Sequence, residues 1–173
     1  NLRYEIVSMA RSLMTNQPWL MLRDGRSEMK ALIRRVITQE HFDFVHADQL
    51  NMAQYAWDLP GIKKVLDEHN ALWLLYQRLA DQLANGPKKW VFSREAGLLR
   101  KYEGRACRDF DFVLAVSDED KKALNEVAKD REILVIPITV DTDELAPVER
   151  ALQANHLIHI GTMFWLPNVD GIL

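Results

Sequence analysis

The chain has 173 residues, enough for one domain or for one domain and part of a second, and its 48% hydrophobic and 27% charged residues are typical of a globular protein with a sizeable core. Its net charge of −3 argues against a dedicated nucleic-acid-binding domain, because such domains carry a basic surplus that neutralises phosphates. A single cysteine, Cys107, excludes an intrachain disulfide and a zinc site of paired cysteines, and it favours a reducing compartment such as the cytoplasm.

The first half of the chain alternates between helical patterns and short apolar runs. Apolar residues at helical spacing predict a helix over residues 2–13 and another that begins at Ser27, with Ser27 as its N-cap. The β-rich run 42–47 predicts a first strand, and residues 64–67 predict a second. Asn70 is expected to cap the helix that follows the second strand.

The same alternation continues in the second half. Helical spacing predicts a long helix over residues 93–109. Residues 112–116 form an almost wholly apolar run, which is typical of a strand buried on both faces. Ser117 and Asp120 have the spacing of a capping box and open the next helix, and residues 133–137 predict a further strand.

This order of elements predicts an α/β fold, a Rossmann-like and mostly parallel sheet with helices on both faces and right-handed crossovers. A polar stretch over residues 141–149 is typical of a linker, and residues 157–161 predict the first strand of a second Rossmann-like domain. The glycine-rich first turn that usually opens such a domain is missing, and neither Asn1 nor Leu173 carries a terminal signature. We therefore expect an internal piece of a longer protein.

Several stretches of the sequence, taken in order, carry a resemblance to a known family. They are FDFVHAD at 42–48, MAQY at 52–55, VLDEHN at 65–70, LRKYE at 99–103, CRDFD at 107–111, VLAVS at 113–117, VIPI at 135–138, and IGTMFW at 160–165 with PNVD at 167–170. The set resembles the group-one glycosyltransferases of family four, which have the GT-B architecture, and most closely a bacterial branch of exopolysaccharide-type sugar transferases. The block over residues 161–170 is the sharpest, because in the family it opens the second domain.

The resemblance implies a domain organisation and an activity. Residues 1–140 would be the acceptor-side Rossmann-like domain without its N-terminal part, 141–154 the linker, and 155–173 the start of the donor-side domain. The implied activity is that of a retaining glycosyltransferase, which moves a sugar from a nucleotide-diphosphate sugar to a glycan or lipid-linked acceptor without a metal or cofactor. The implied location is the cytoplasm, at the inner face of the membrane. This piece alone is expected to be inactive, because transfer needs both domains.

His69 is the candidate catalytic residue. It follows the second predicted strand, and in open α/β sheets ligands bind beyond the carboxyl ends of the strands. The resemblance implies that a histidine here faces the cleft near the transferred sugar; the alternative is a histidine that caps the next helix or bonds a loop. Asp67, two residues earlier, points the same way in an extended chain. Since no third ligand has a telling spacing, no metal site is predicted.

Three further residues are candidate substrate contacts, besides Asp67. Asp48, at the end of the first predicted strand, could contact an acceptor hydroxyl or could be a solvated loop carboxylate. Gly161 would let the backbone approach a donor ligand closely, and a helix that opens near Asn168 would offer free N–H groups to a phosphate. The alternative for both is a plain tight turn.

Other features keep simpler interpretations. Glu103 is expected on a solvated or salt-bridged helix face, and residues 18–23 are expected to form a buried strand or a packed loop, with a lipid contact at the membrane surface as the alternative. An incomplete sheet would expose pairing edges, which predicts self-association.

The alternative function is a non-enzymatic, flavodoxin-like α/β module for binding or regulation, because fold alone does not fix function.

Overall fold

A computed structural model describes residues 2–145, 147–148, 153, 155–162, 168–169 and 172. The chain divides into two compact units, Asn1–Ile138 and Thr139–Leu173. In the first unit the helices are α1 (Leu2–Thr15), α2 (Trp19–Asp24), α3 (Ser27–Gln39), α4 (Ala53–Ala56), α5 (Leu72–Gln82), α6 (Pro87–Asp109) and α7 (Asp118–Val127). The strands are β1 (Phe44–Asp48), β2 (Lys63–Glu68), β3 (Phe112–Ala115) and β4 (Leu134–Val135), and a short 3-10 turn, Leu50–Met52, precedes α4. None of these helices combines the length and the apolar character needed to cross a bilayer.

The four strands form one parallel sheet in the order β1-β2-β3-β4. Asp48 lies beside Asp67 in the register of β1 and β2, and Glu68 lies beside Ala115 in that of β2 and β3. The strands therefore end at one common edge, as parallel strands do. The predicted α/β class, a parallel sheet flanked by helices, is confirmed, but over the described residues helices do not cover the second face as expected.

The hydrophobic core lies on one face of this sheet. Alternate strand residues on that face are buried, among them Ala47, Leu66 and Val113, and they pack in one cluster with Leu99 of α6 and Leu124 of α7. Small residues let the helices approach the strands closely; those in the cluster are Ala53, Ala56, Ala106, Cys107 and Ala123. Helices α4 to α7 thus form the layer that supports the ends of the strands.

The opposite face of the sheet is open over the described part of the chain. Phe44 is 57% exposed, Phe112 51% and Leu134 45%. The expectation that residues 112–116 are buried on both faces was therefore wrong for this face. Val113 and Ala115 are buried while Phe112 is half exposed, because successive strand residues point to opposite faces.

In the second unit, the strand expected over residues 157–161 is not formed. Residues 155–160 have no regular secondary structure, and Leu157, Ile158 and Ile160 are almost fully exposed. A strand needs a neighbour to satisfy its backbone groups, and among the described residues none pairs with this segment.

Two serines that the sequence marks as helix caps behave differently. The backbone N–H of Asp120 donates to Oγ of Ser117 over 3.1 Å, and the Ser117 hydroxyl donates to the Asp120 carboxylate, so the predicted cap of α7 is confirmed. Ser27 lies inside α3, whose N-cap is Arg26, and its hydroxyl bonds Glu28 instead. The prediction for Ser27 was wrong because its helix begins one residue earlier.

We expect Ser117→Ala to lower the free energy of unfolding by about 1 kcal/mol, the usual cost of removing an N-cap hydroxyl. Ser27→Ala is the matched control and should change it by less than about 0.5 kcal/mol, since no cap is lost. Urea unfolding followed by circular dichroism measures both. Equal losses in the two variants would contradict the assignment of Ser117 as the cap.

Candidate active site

The carboxyl ends of β1 and β2 bring three of the predicted site residues together. Nε2 of His69 lies 2.9 Å from Oδ1 of Asp48, so a residue after β2 pairs with the last residue of β1. Nε2 of His46 lies 3.2 Å from Oδ2 of Asp67, which makes a second pair between the same strands. The histidine side chains are 36% (His69) and 44% (His46) exposed, so a ligand can reach both rings.

The His69 ring is held from two sides. Its Nδ1 lies 3.4 Å from the side-chain nitrogen of Gln49, and its Nε2 faces Asp48. An amide that donates to Nδ1 and an Nε2–H that donates to a carboxylate are both satisfied by the tautomer protonated on Nε2. The backbone of Gln49 has a φ of 74° and its N–H donates to the Asp67 carbonyl over 2.9 Å, so the loop after β1 is tied to β2. The ring does not cap α5; it contacts Asp48 at the end of β1 and also Gln49 in the following loop, which is the loop contact of the alternative interpretation.

This cluster also has the composition of a cation site. Asp48, Asp67 and His69 each offer a ligand atom, and these atoms all lie within 4.8 Å of one another. The sequence showed only Asp67 and His69; the third group, Asp48, comes from the neighbouring strand and has no telling spacing along the chain. The absence of a metal stays a prediction.

The predicted donor contacts lie in the second unit. The side chain of Asn168 donates to the Thr162 carbonyl over 3.1 Å. A Cβ on Gly161 would lie 2.7 Å from Nε2 of His159 and 3.0 Å from Nδ2 of Asn168, so the glycine permits a close approach of polar side chains. Asn168 is helical, whereas Pro167 and most of the block 161–170 fall outside the described residues.

Sequence reasoning missed the role of Glu103. It was expected on a solvated helix face, yet the residue is fully buried, and its two carboxylate oxygens accept the N–H groups of Leu72 and Trp73 over 2.8 and 2.9 Å. The signal was present: Glu103 lies four residues after Leu99 and three before Ala106, on the apolar stripe of α6.

The segment that follows His69 is therefore fixed by carboxylates rather than by the expected Asn70 cap. Structurally, the N-cap of α5 is Ala71, whose N–H donates to Oδ1 of Asp120 over 3.0 Å. Glu103 binds the next two N–H groups along the chain. These carboxylates belong to α6 and α7, so two supporting helices hold the beginning of α5.

Glu95, eight residues earlier on α6, makes the same kind of contact with α2. Its carboxylate accepts the N–H groups of Trp19 and Leu20 over 3.1 and 3.3 Å. Trp19 packs edge-on against Tyr76 and Phe92. Residues 18–23 are thus packed, as expected, but as helix α2 over most of their length rather than as the expected strand or loop.

Two carboxyl groups lie buried beneath the strand ends. Burial and the neighbouring Glu103 raise the pKa of Glu68 well above its ordinary value, and Oε1 of Glu68 has no hydrogen-bond partner among the described residues. Burial also raises the pKa of Glu103, but both of its oxygens accept N–H groups, from Leu72 and Trp73, so Glu103 stays charged and the proton of the pair lies on Glu68. The folded protein thus holds a proton that the unfolded chain would release.

A parallel sheet flanked by helices defines a Rossmann-like α/β protein, a class in which ligands bind beyond the carboxyl ends of the strands. The model of the family described as Glycosyltransferase Family 4 matches residues 9–144, which are most of the chain, so the chain belongs to this family. No curated protein and no solved structure gives a significant match. The family match favours a glycosyltransferase over the flavodoxin-like binding module.

The buried carboxyls predict a pH dependence of stability. Below the ordinary value of 4.5 these carboxyls are protonated in the unfolded chain as well, and at higher pH only the folded state keeps the proton on Glu68, so the stability due to this proton falls as the pH rises. Glu68→Gln removes one titrating carboxyl of the pair. We expect the variant to gain stability relative to the unmodified protein between pH 5 and pH 8, measured by urea unfolding.

The exposed Glu119 on α7 provides the control for this titration. Glu119→Gln should keep a constant difference from the unmodified protein over the same pH range. A constant difference for Glu68→Gln as well would mean that the buried pair does not take up a proton on folding.

Proposed function

We propose that the chain is the acceptor-side domain, with the beginning of the donor-side domain, of a retaining glycosyltransferase. It would move a sugar from a nucleotide-diphosphate sugar to a glycan or lipid-linked acceptor. The family match supports the transferase class. One observation supports the location of the site above all: His69 and Asp48 form an accessible pair 2.9 Å apart, where the ends of β1 and β2 meet.

In this proposal, His69 donates a hydrogen bond to the sugar or to the charge that develops on it. A preorganised donor beside a reacting centre stabilises such charge more in the transition state than in the bound substrate. Asp48 keeps the ring oriented and, with Asp67, accepts hydrogen bonds from hydroxyls of the acceptor. These carboxylates are 71% and 24% exposed, so both can reach a bound sugar.

The donor would be held by the second unit. Gly161 and Asn168 are the proposed contacts, with backbone N–H groups that neutralise the diphosphate without a metal or cofactor. The proposed bounds are residues 1–140 for the acceptor side, 141–154 for the linker and 155–173 for the start of the donor side. The retaining outcome and the type of donor rest on the family resemblance.

A place at the cytoplasmic face of the membrane is part of the proposal, since a lipid-linked acceptor would be presented there. Exposed apolar side chains support a peripheral contact; they are Ile6, Val7, Leu13 and Met14 on α1, and Met29 and Leu32 on α3.

Self-association is the other proposed contact, because β1 and β4 each pair with a single strand in the described sheet.

The role of His69 is tested in the longer protein that the proposal requires. We expect His69→Ala to lower the rate of sugar transfer by on the order of 100-fold, because a donor to the developing charge is lost. Released nucleoside diphosphate measures the rate across a panel of nucleotide sugars. His41→Ala, at a side chain that is 91% exposed and away from the strand ends, should retain the full rate. An unchanged rate in folded His69→Ala would remove His69 from the site.

The 173-residue chain should not turn over a nucleotide sugar by itself, since the proposed reaction needs a complete donor side. It should also show a mass above the 20.1 kDa of one chain in light scattering, because the unpaired strand edges would associate. Turnover by this chain would refute the proposed division of the site, and a mass of one chain would refute self-association.

A further inference from the structure

We propose that Glu103 is a positioning residue for His69: its buried carboxylate fixes the start of α5 and thereby the place of the imidazole at the strand ends. The inference rests on the proposed function, in which His69 contacts the substrate. It assigns a role in transfer to a residue that is fully buried and cannot touch the substrate itself.

The first step of the argument is the short path between the two residues. His69 directly follows Glu68, whose backbone is paired with Ala115 in the sheet. Three residues after His69, the Leu72 N–H meets Oε1 of Glu103, and the Trp73 N–H meets Oε2. The backbone that carries the imidazole is therefore anchored on both sides, with little freedom between the anchors.

The second step is the strength of the downstream anchor. A carboxylate that accepts N–H groups at a helix N-terminus makes charge-assisted bonds and meets the positive end of the helix dipole. Glu103 makes two of these bonds without exposure to water, among buried neighbours of α6 such as Leu99 and Ala106. Replacement by glutamine keeps one oxygen acceptor but sets an NH2 donor against the other N–H group, so the first turn of α5 would have to move to reach a new partner.

The third step is that the imidazole needs this anchor for its own contacts. The ring contacts Asp48 over 2.9 Å and Gln49 over 3.4 Å, and both partners belong to the end of β1 rather than to β2 or α5. A shift of residues 69–71 would lengthen these contacts, because Asp48 of β1 and Gln49, which bonds Asp67 of β2, would not follow. A displacement of about 1 Å at a reacting group is enough to cost on the order of 100-fold in rate.

Glu95 provides an internal control that few proteins offer. It is buried on the same helix and accepts two N–H groups at the start of α2, at Trp19 and Leu20. Glu95→Gln and Glu103→Gln are therefore the same chemical change in two matched settings. A merely structural role for Glu103 predicts equal effects, whereas positioning predicts an effect on His69 from Glu103→Gln alone.

The first experiment uses the 173-residue chain and needs no substrate. The ring Cε1–Hε1 signal of His69 is assigned by its loss in His69→Ala, and amide exchange is followed at Ala71, Leu72 and Trp73. We expect Glu103→Gln to move the ring signal and to speed exchange at these amides by about tenfold or more. Glu95→Gln should leave both unchanged and should speed exchange at Trp19 and Leu20 instead.

The second experiment measures transfer in the longer protein. Glu103→Gln should lower kcat by about tenfold or more and leave the donor KM unchanged, while Glu95→Gln should stay within about twofold of the unmodified kcat. If Glu103→Gln does not fold, Asp120→Ala tests the same segment through the loss of the Ala71 bond, with Ser117→Ala as its control for the α7 cap.

The outcomes separate the two proposals. An unmoved His69 signal in Glu103→Gln, or equal effects of the two glutamate variants on the ring, would overturn the positioning role. If Glu103→Gln moves the His69 signal but the longer protein transfers no sugar, the positioning role stands and the proposed function is refuted.

Discussion

A buried carboxylate at the beginning of α5 is the interaction on which the arrangement of the strand ends depends. Glu103 occupies the N–H groups that an incoming phosphate would otherwise bind, so this helix end serves the protein's own geometry. The same bonds join α6 to α5 and, through the segment after β2, to the sheet. The polar groups at the edge of the sheet are thus supported from beneath by hydrogen bonds of the fully buried Glu103.

The sequence predicted the sheet well, since the expected strands at 64–67 and 112–116 overlap β2 and β3. It also placed His69 at a strand end. It could not provide Asp48 as the partner, because which strands lie side by side is set by tertiary packing and the two residues are far apart along the chain. Glu103 was missed for another reason: a charged residue was expected in water although its helical position pointed inward.

The two serines show how local context decides between equal residue types. Ser117 has an acidic residue three positions later, which completes a capping box, whereas Lys30 stands at that position after Ser27. Burial of the second face of the sheet was the other wrong expectation. An apolar run such as residues 112–116 shows only that its side chains tolerate burial. Whether Phe112 is covered depends on other segments of the chain, which the run does not determine.

The two glutamates of α6 also restrict how the chain length can vary. Inserting or deleting one residue between Glu95 and Glu103 would rotate one carboxylate by about 100° around the helix axis relative to the other, so only one of the two helix starts could remain bound. Length changes between relatives should therefore collect in the short turn before Pro87 rather than within this helix. The spacing between Glu95 and Glu103 therefore fixes the distance between the beginnings of α2 and α5.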